Sequence, residues 1–532
     1  MGQGFFGLVL HGHLPYVRHP EEERSLQEHW FFDAISETYL PLLLMLNRLR
    51  DEGVPFRITL SLSPTLCTMF LDDLLQTRYV DHLHRLIDLG EKEIRRNEGN
   101  PVLESLARMY RDNYVQNLHE FIDVYRFNIL KGYKQLEKEG YLDIITTSAT
   151  HSFLPLYQAF PESIEAQIQT AVISHGRVLG NDPKGMWIPE CGYFPGMEKY
   201  LKAYGIRYFF TAAHGILLAD RKPRYGVYAP LECPNGVYTF GWDLPSAQAV
   251  WSADKGYPGD FSYRDFYRDI GCELPLDYLG SLVFRQEIRV KTGYKYYART
   301  GKTGEKQPYD IREAERRAQE HAENFIYNRQ KQICKVSQLM DRPPYILVPF
   351  DAELFGHWWF EGLQWLERVI RMIGAKDSGM SMLTPTDYLG LYPQNQKGVP
   401  SFSSWGNKGY AEVWLDSSND WIYPHIHKAV ERMAELVERF PAESGLKERV
   451  LNQAAREVLL SQASDWPFIM KAGPAASYAA ERVKEHLYNF NQIYDNLCRN
   501  TVNTEWLTRL ERDHNIFPDI DYRVFGKKED RT

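Results

Sequence analysis

Two carboxylates stand where acid–base or nucleophilic chemistry could be done. Trp187-Ile188-Pro189-Glu190-Cys191-Gly192-Tyr193 places Glu190 at the end of an apolar run with an aromatic residue on each side. Val348-Pro349-Phe350-Asp351-Ala352-Glu353-Leu354-Phe355-Gly356-His357-Trp358-Trp359 does the same for Asp351. Cleaving a glycosidic bond needs such a pair: one carboxyl protonates the leaving oxygen, and the other attacks the anomeric carbon or activates water. An apolar aromatic shell can lift the acid's pKa toward neutrality while a better solvated partner stays ionised. A single acid at such a place is more often a helix cap or an arginine partner. Two acids at strand ends, both with tryptophan close by, shift the reading toward chemistry.

His11-Gly12-His13 ends the first apolar run, and alternate residues of a strand share a face, so both imidazoles can line one cleft. They suit metal ligation, completed by His151, His214 and Asp351. They suit equally the donation of hydrogen bonds to sugar hydroxyls, or a core role satisfied by backbone. Trp405 sits in the loop Ser403-Ser404-Trp405-Gly406-Asn407, followed by Trp414 and by Gln462-Ala463-Ser464-Asp465-Trp466-Pro467-Phe468. Such tryptophans stack on pyranose rings or plug a domain interface, and Asp465-Trp466-Pro467 also reads as a helix stop signal. No GxGxxG, Walker A or GxSxG pattern occurs, which argues against nucleotide-dependent and serine-hydrolase chemistry.

Composition narrows the ligand. The 532 residues include 12 Trp, 34 Tyr and 27 Phe, an aromatic share of 14% that suggests flat surfaces serving more than packing. A net charge of −8 without a long Lys/Arg run disfavours nucleic acid and leaves a neutral polyhydroxylated ligand ahead. A hydrophobic fraction of 44% supplies a large core. The first ten residues read as a strand and not as a signal peptide, and no run of 18 apolar residues predicts a membrane span. Six cysteines without CxxC spacing read as reduced thiols of a cytoplasmic protein.

These residues need a scaffold that brings strand ends together. Apolar runs at Phe5–Leu10, Phe56–Leu62, Leu142–Ile145, Gly185–Pro189, Ile206–Phe210 and Tyr345–Phe350 alternate with helical stretches. That pattern predicts buried parallel strands of a (β/α) barrel, with functional groups at their carboxyl ends. Residues 66–139 are too long for one crossover and predict a helical insertion. Cys233 to Gly304, rich in Tyr, Gly, Pro and Trp, reads as loops over the substrate site. Amphipathic periods at Ile426–Phe440, Leu446–Ser464 and Ala475–Leu497 predict a C-terminal helical domain, and Lys527–Thr532 a frayed tail.

Five motifs in this order, His11-Gly12-His13-Leu14-Pro15-Tyr16, Thr150-His151-Ser152-Phe153-Leu154-Pro155, Trp187 to Cys191, Phe350 to Trp359 and Gln462 to Phe468, resemble glycoside hydrolase family 57 from about residue 4 to 500. The likeness is greatest to its 1,4-α-glucan branching enzymes. It implies an α/β fold: an incomplete (β/α)7 barrel (1–400) with an inserted helical subdomain (66–139) and a C-terminal α-helical domain (401–526) beside the glucan groove. It implies a retaining mechanism with no metal and no cofactor, Glu190 as nucleophile and Asp351 as general acid/base. His11, His13 and His151 would bind sugar at the cleavage point. Trp187, Trp242, Trp358, Trp405, Trp414, Asp465 and Trp466 would line the substrate groove. The partner implied is an α-1,4-glucan, with no nucleic acid or membrane, acted on by a monomer or weak oligomer. Family branching enzymes carry a tyrosine on a mobile loop over the cleft. Here Gly236 to Pro245 is short, and Cys272 follows Arg268-Asp269-Ile270-Gly271 where an aromatic is expected. That departure points toward hydrolysis with weak transfer as the alternative outcome.

Overall fold

The computed structural model describes residues 3–252, 255–283, 288–301 and 305–527. Its strands are β1 (Gly4–Gly12), β2 (Ile58–Leu62), β3 (Leu142–Ile145), β4 (Gly185–Met186), β5 (Tyr208–Thr211), β6 (Leu231–Glu232), β7 (Tyr238–Gly241), β8 (Tyr345–Asp351), β9 (Met380–Met382) and β10 (Gln396–Lys397). One sheet runs β3-β2-β1-β8 with β9 also on β1, and the other runs β10-β6-β7-β5-β4. A parallel bridge between Thr146 and Met186 joins them. The barrel order is therefore β8-β1-β2-β3-β4-β5-β7, seven parallel strands. Between β7 and β8 the described residues show no strand ladder; only the Asp243 N–H donates across, to the Leu347 carbonyl at 2.8 Å. This is an incomplete (β/α)7 barrel.

Alternation along these strands separates two cores. Val9, Ile145, Trp187, Phe210, Phe240, Tyr345 and Leu347 fill the barrel interior. Phe6, Leu8, Leu10, Ile58, Leu60, Ile346 and Val348 face the surrounding helices. Gly7 is required by this interior, because a Cβ there would sit 2.2 Å from the Tyr345 hydroxyl. The strand pattern read from sequence needs two amendments. Pro189 has no N–H to give a ladder, and the expected Gly185–Pro189 strand ends at Met186. Tyr238–Gly241, read above as part of a loop, is a barrel strand paired in parallel with β5.

Between β2 and β3 the chain forms helices Pro64–Phe70, Asp73–Arg96, Pro101–His119 and Leu130–Lys138. The first three start at Ser63, Asp72 and Asn100, whose side chains accept the backbone N–H three residues on. The segment after β7 packs on them: the Tyr110 hydroxyl donates to the Lys295 carbonyl at 2.6 Å, and the Tyr296 hydroxyl to Glu93 at 2.8 Å. That segment is not only loop, since Leu244–Trp251 is a helix capped by Asp243. Helices Ile422–Arg439, Leu446–Ser461, Asp465–Ala472, Ala476–Arg499 and Thr504–Asp513 make the C-terminal assembly, two of them beyond those expected. It docks on the barrel through a Ser152–Ala463 bridge and a Gln167–Gln462 amide hydrogen bond of 2.9 Å. Of the expected frayed tail, residues 528–532 lie outside the described residues.

Candidate active site

The carboxyl ends of the strands open into a cleft of about 590 Å3. His11, His13, His151, Glu190, Asp351, Glu353 and Asp465 line it, with Trp242, Trp251, Trp358, Trp405 and Trp414 as walls. Strand register does much of the positioning: β1 sets His11 opposite Asp351 on β8 and opposite Ser61 on β2. Beyond β4 the chain turns sharply at Pro189–Cys191, where Glu190 (φ 61°) and Cys191 (φ 48°) adopt the left-handed region. His151, across the cleft, does so too (φ 58°). For non-glycine residues this costs roughly 1–2 kcal/mol each, and such strain gathers where a site dictates side-chain direction. The turn is held from outside. The Trp405 N–H donates to the Glu190 carbonyl at 2.8 Å, and Tyr193 and Ser403 exchange backbone hydrogen bonds of 2.9 and 3.2 Å.

The polar groups form one ordered chain. The Trp405 indole N–H donates to Glu190 Oε2 at 2.6 Å, and Ser464 Oγ donates to Glu190 Oε1 at 2.8 Å. Having given its proton to the carboxylate, Ser464 Oγ accepts from His151 Nδ1 at 2.8 Å. His151 Nε2 then accepts from His11 Nε2 at 3.0 Å, and His11 Nδ1 accepts from Ser61 Oγ at 3.3 Å. This pattern needs neutral imidazoles. Burial, and then the neighbouring histidine charges, indeed hold His11 and His151 well below the usual histidine range. His13 stacks on His151 with ring centroids 3.7 Å apart and donates from Nε2 to Asp465 at 3.0 Å.

Burial governs the carboxyls. It lifts Glu190 to about 7 even though the Trp405 and Ser464 hydrogen bonds pull the other way. Asp351 is partly open to the cleft, yet the protein packed around that opening drives its pKa well above the ordinary carboxyl value, with Glu353 and Glu190 adding repulsion. Glu353, which takes the Tyr39 hydroxyl proton in a hydrogen bond, is also raised to about 7 by burial. Trp405→Phe or Ser464→Ala removes one donor from the Glu190 carboxylate and raises its pKa further. A carboxyl-carbon NMR titration would show it, and an unmoved Glu190 would mean that these bonds do not hold it.

The structure brings most of the sequence candidates together, with three exceptions. Trp187 does not line the cleft but backs it, fully buried, with its ring 4.8 Å from that of His11. Trp466 points into the helical assembly, its indole N–H on the Leu460 carbonyl at 2.9 Å. His214 lies outside the cleft and donates from Nε2 to the Gly409 carbonyl at 2.9 Å, bracing the loop that carries Trp405. Sequence reasoning missed Glu353, Ser464 and Trp251, of which the first two lie within quoted motifs. Trp251 is presented by the unexpected helix Leu244–Trp251.

An open barrel with a buried carboxyl pair and tryptophan walls at its strand ends is the build of a glycoside-cleaving enzyme. The chain belongs to glycosyl hydrolase family 57. That family's model matches residues 7–243, and a second, described as 1,4-alpha-glucan branching enzyme, C-terminal, matches 425–525. A 1,4-alpha-glucan branching enzyme of Thermococcus kodakarensis is 32% identical, over 97% of this chain and 78% of that protein. The crystal structure of an alpha-amylase from Thermotoga maritima superposes with a TM-score of 0.93 at 39% identity, covering 99% of this chain and 100% of that one. A family 57 branching enzyme from Pyrococcus horikoshii gives 0.89 at 30% identity, covering 99% and 98%.

Proposed function

We propose that this protein is a 1,4-α-glucan branching enzyme acting by retaining double displacement. Asp351, protonated because of its raised pKa, delivers its proton to the glycosidic oxygen while the Glu190 carboxylate attacks the anomeric carbon. The β-glycosyl-enzyme then accepts the 6-hydroxyl of a second chain, with Asp351 as base. His13 and Asp465 meet the sugar at the cleavage point, His11 and His151 brace them and Glu190 from behind, and Trp242, Trp358, Trp405 and Trp414 offer stacking faces along the groove. The barrel at 1–400, the insertion at 66–139 and the helices at 401–526 divide this work, the last supplying Ser464 and Asp465.

The observation that carries transfer over hydrolysis is an aromatic run continuing beyond the cleft. Trp358, 56% exposed, stacks on Phe266 at 4.6 Å, and Phe266 meets Tyr267, 78% exposed. An acceptor chain has a surface to lie on there. One observation favours the second reading, an α-glucan hydrolase with weak transfer. Among the described residues no tyrosine lines the cleft, and the chain after β7 enters the helix Leu244–Trp251 at once. Incubation with amylose decides. New α-1,6 linkages, seen by proton NMR and by debranching, support branching, whereas reducing ends without branches would reject it.

The same assay in EDTA keeps full activity, because the chain from Ser61 to Glu190 already engages both ring nitrogens of His11 and His151. Loss of activity on chelation would favour a metal-dependent hydrolase built on the ligand atoms of His13, His151 and Asp465, which lie within 4.8 Å of one another. Six unpaired cysteines support a reducing cytoplasm as its location, and no helix among the described residues is long and apolar enough to cross a membrane.

A further inference from the structure

A second cavity, of about 730 Å3, lies at the opposite end of the barrel, where the strands begin. Arg57 just before β2, Leu142 to Ile144 in β3 and Lys184 just before β4 line one side. The helix Leu130–Lys138 lines the other with Lys131, Lys134 and Lys138. Spacings of three and four residues put these lysines on one helix face, where like charges repel. The chain as a whole is acidic at −8, so composition does not demand this concentration of cations.

Five cations face three carboxylates, and two of those carboxylates are already engaged by the wall. Asp143 accepts from the Tyr208 hydroxyl at 2.9 Å and from the Thr386 hydroxyl. Glu137 accepts from the Ile144 N–H at 3.0 Å and from the Asn181 amide at 3.3 Å. Arg57 is paired with Asp387 at 2.7 Å, and Lys134 donates to the Val178 carbonyl at 3.2 Å. Among the described residues the ammonium groups of Lys131, Lys138 and Lys184 have no hydrogen bond or ion pair within the bonding distances of their neighbours. Lys184 acts at longer range, helping to offset the rise that burial imposes on Glu137.

The geometry points to a binding site for a phosphorylated sugar, separate from the catalytic cleft. The lysines match a phosphate monoester. Gln135, Asn181 and Asp182, all exposed at its rim, supply partners for hydroxyls. A bare phosphate would leave most of this volume unfilled.

The test uses the full chain and a variant carrying Lys131→Ala and Lys138→Ala, two exposed positions remote from the cleft. Calorimetric titration with glucose 1-phosphate shows saturable binding that raises Tm and weakens with added salt. In the variant it weakens roughly tenfold, while amylose turnover is unchanged. No saturable binding, equal binding of glucose, equal binding of inorganic phosphate, or undiminished binding by the variant would each overturn the proposal.

Discussion

Glu190→Gln abolishes glucan cleavage, with a loss of roughly 10^4-fold or more, and makes the protein more stable at neutral and alkaline pH. The first effect follows from its proposed role, since an amide cannot form the glycosyl-enzyme. The second follows from the cost of burying the charge. In the unfolded chain Glu190 titrates near the ordinary glutamate value of 4.5, and in the fold burial lifts it to about 7. Below the lower value both states hold the proton and nothing is lost. As pH rises through this window the unfolded chain releases its proton first, so native stability falls, reaching its full deficit above the upper value. A shift of this size corresponds to about 3 kcal/mol. Glutamine retains the geometry, accepting from Trp405 and donating to Ser464. Thermal unfolding at about pH 8 and about pH 4 reads the result. A Tm gain at the higher pH that vanishes at the lower is expected, whereas a variant no more stable than the parent at the higher pH would show that the site stores no such strain.

Asp351→Asn loses roughly 10^2- to 10^4-fold on amylose, the range of a general acid, but far less on an α-glucosyl fluoride. A fluoride leaving group needs no proton, so glycosylation of Glu190 proceeds without Asp351. The deglycosylation step still lacks its base, and azide, which needs none, accelerates turnover and leaves as the α-glycosyl azide of a retaining enzyme. Formation of the β-azide would instead indicate inversion, and an equal loss on both substrates would remove Asp351 from the acid role. In the parent enzyme the two carboxyls titrate as a coupled pair. Activity falls on the acid side as Glu190 takes up a proton near 7, and on the alkaline side as Asp351 loses the proton that burial, Glu353 and Glu190 help it keep.

Much of the barrel was legible because a buried parallel strand is a local apolar run. β1, β2, β3, β5 and β8 could be read within two residues at most of their ends. Tyr238–Gly241 was not legible, being a four-residue run that ends in Gly, and becomes a strand because β5 offers it a parallel partner and β6 an antiparallel one. The helix Leu244–Trp251 was hidden for a similar reason. Its apolar residues serve the cleft wall as well as the core, which blurs the helical period.

By itself the sequence determined which residue types could do chemistry, Glu190 and Asp351 at strand ends with histidines and tryptophans near them, because identity and strand-end placement are local properties. Tertiary structure decided which of the neighbours reach the reacting groups. The donors that hold Glu190, Trp405 and Ser464, lie 215 and 274 residues away in sequence. Adjacent residues part company as well: Asp465 faces the cleft while Trp466 turns into the helical core. That choice depends on the rotation of one docked helix about its axis, and long-range packing sets that rotation.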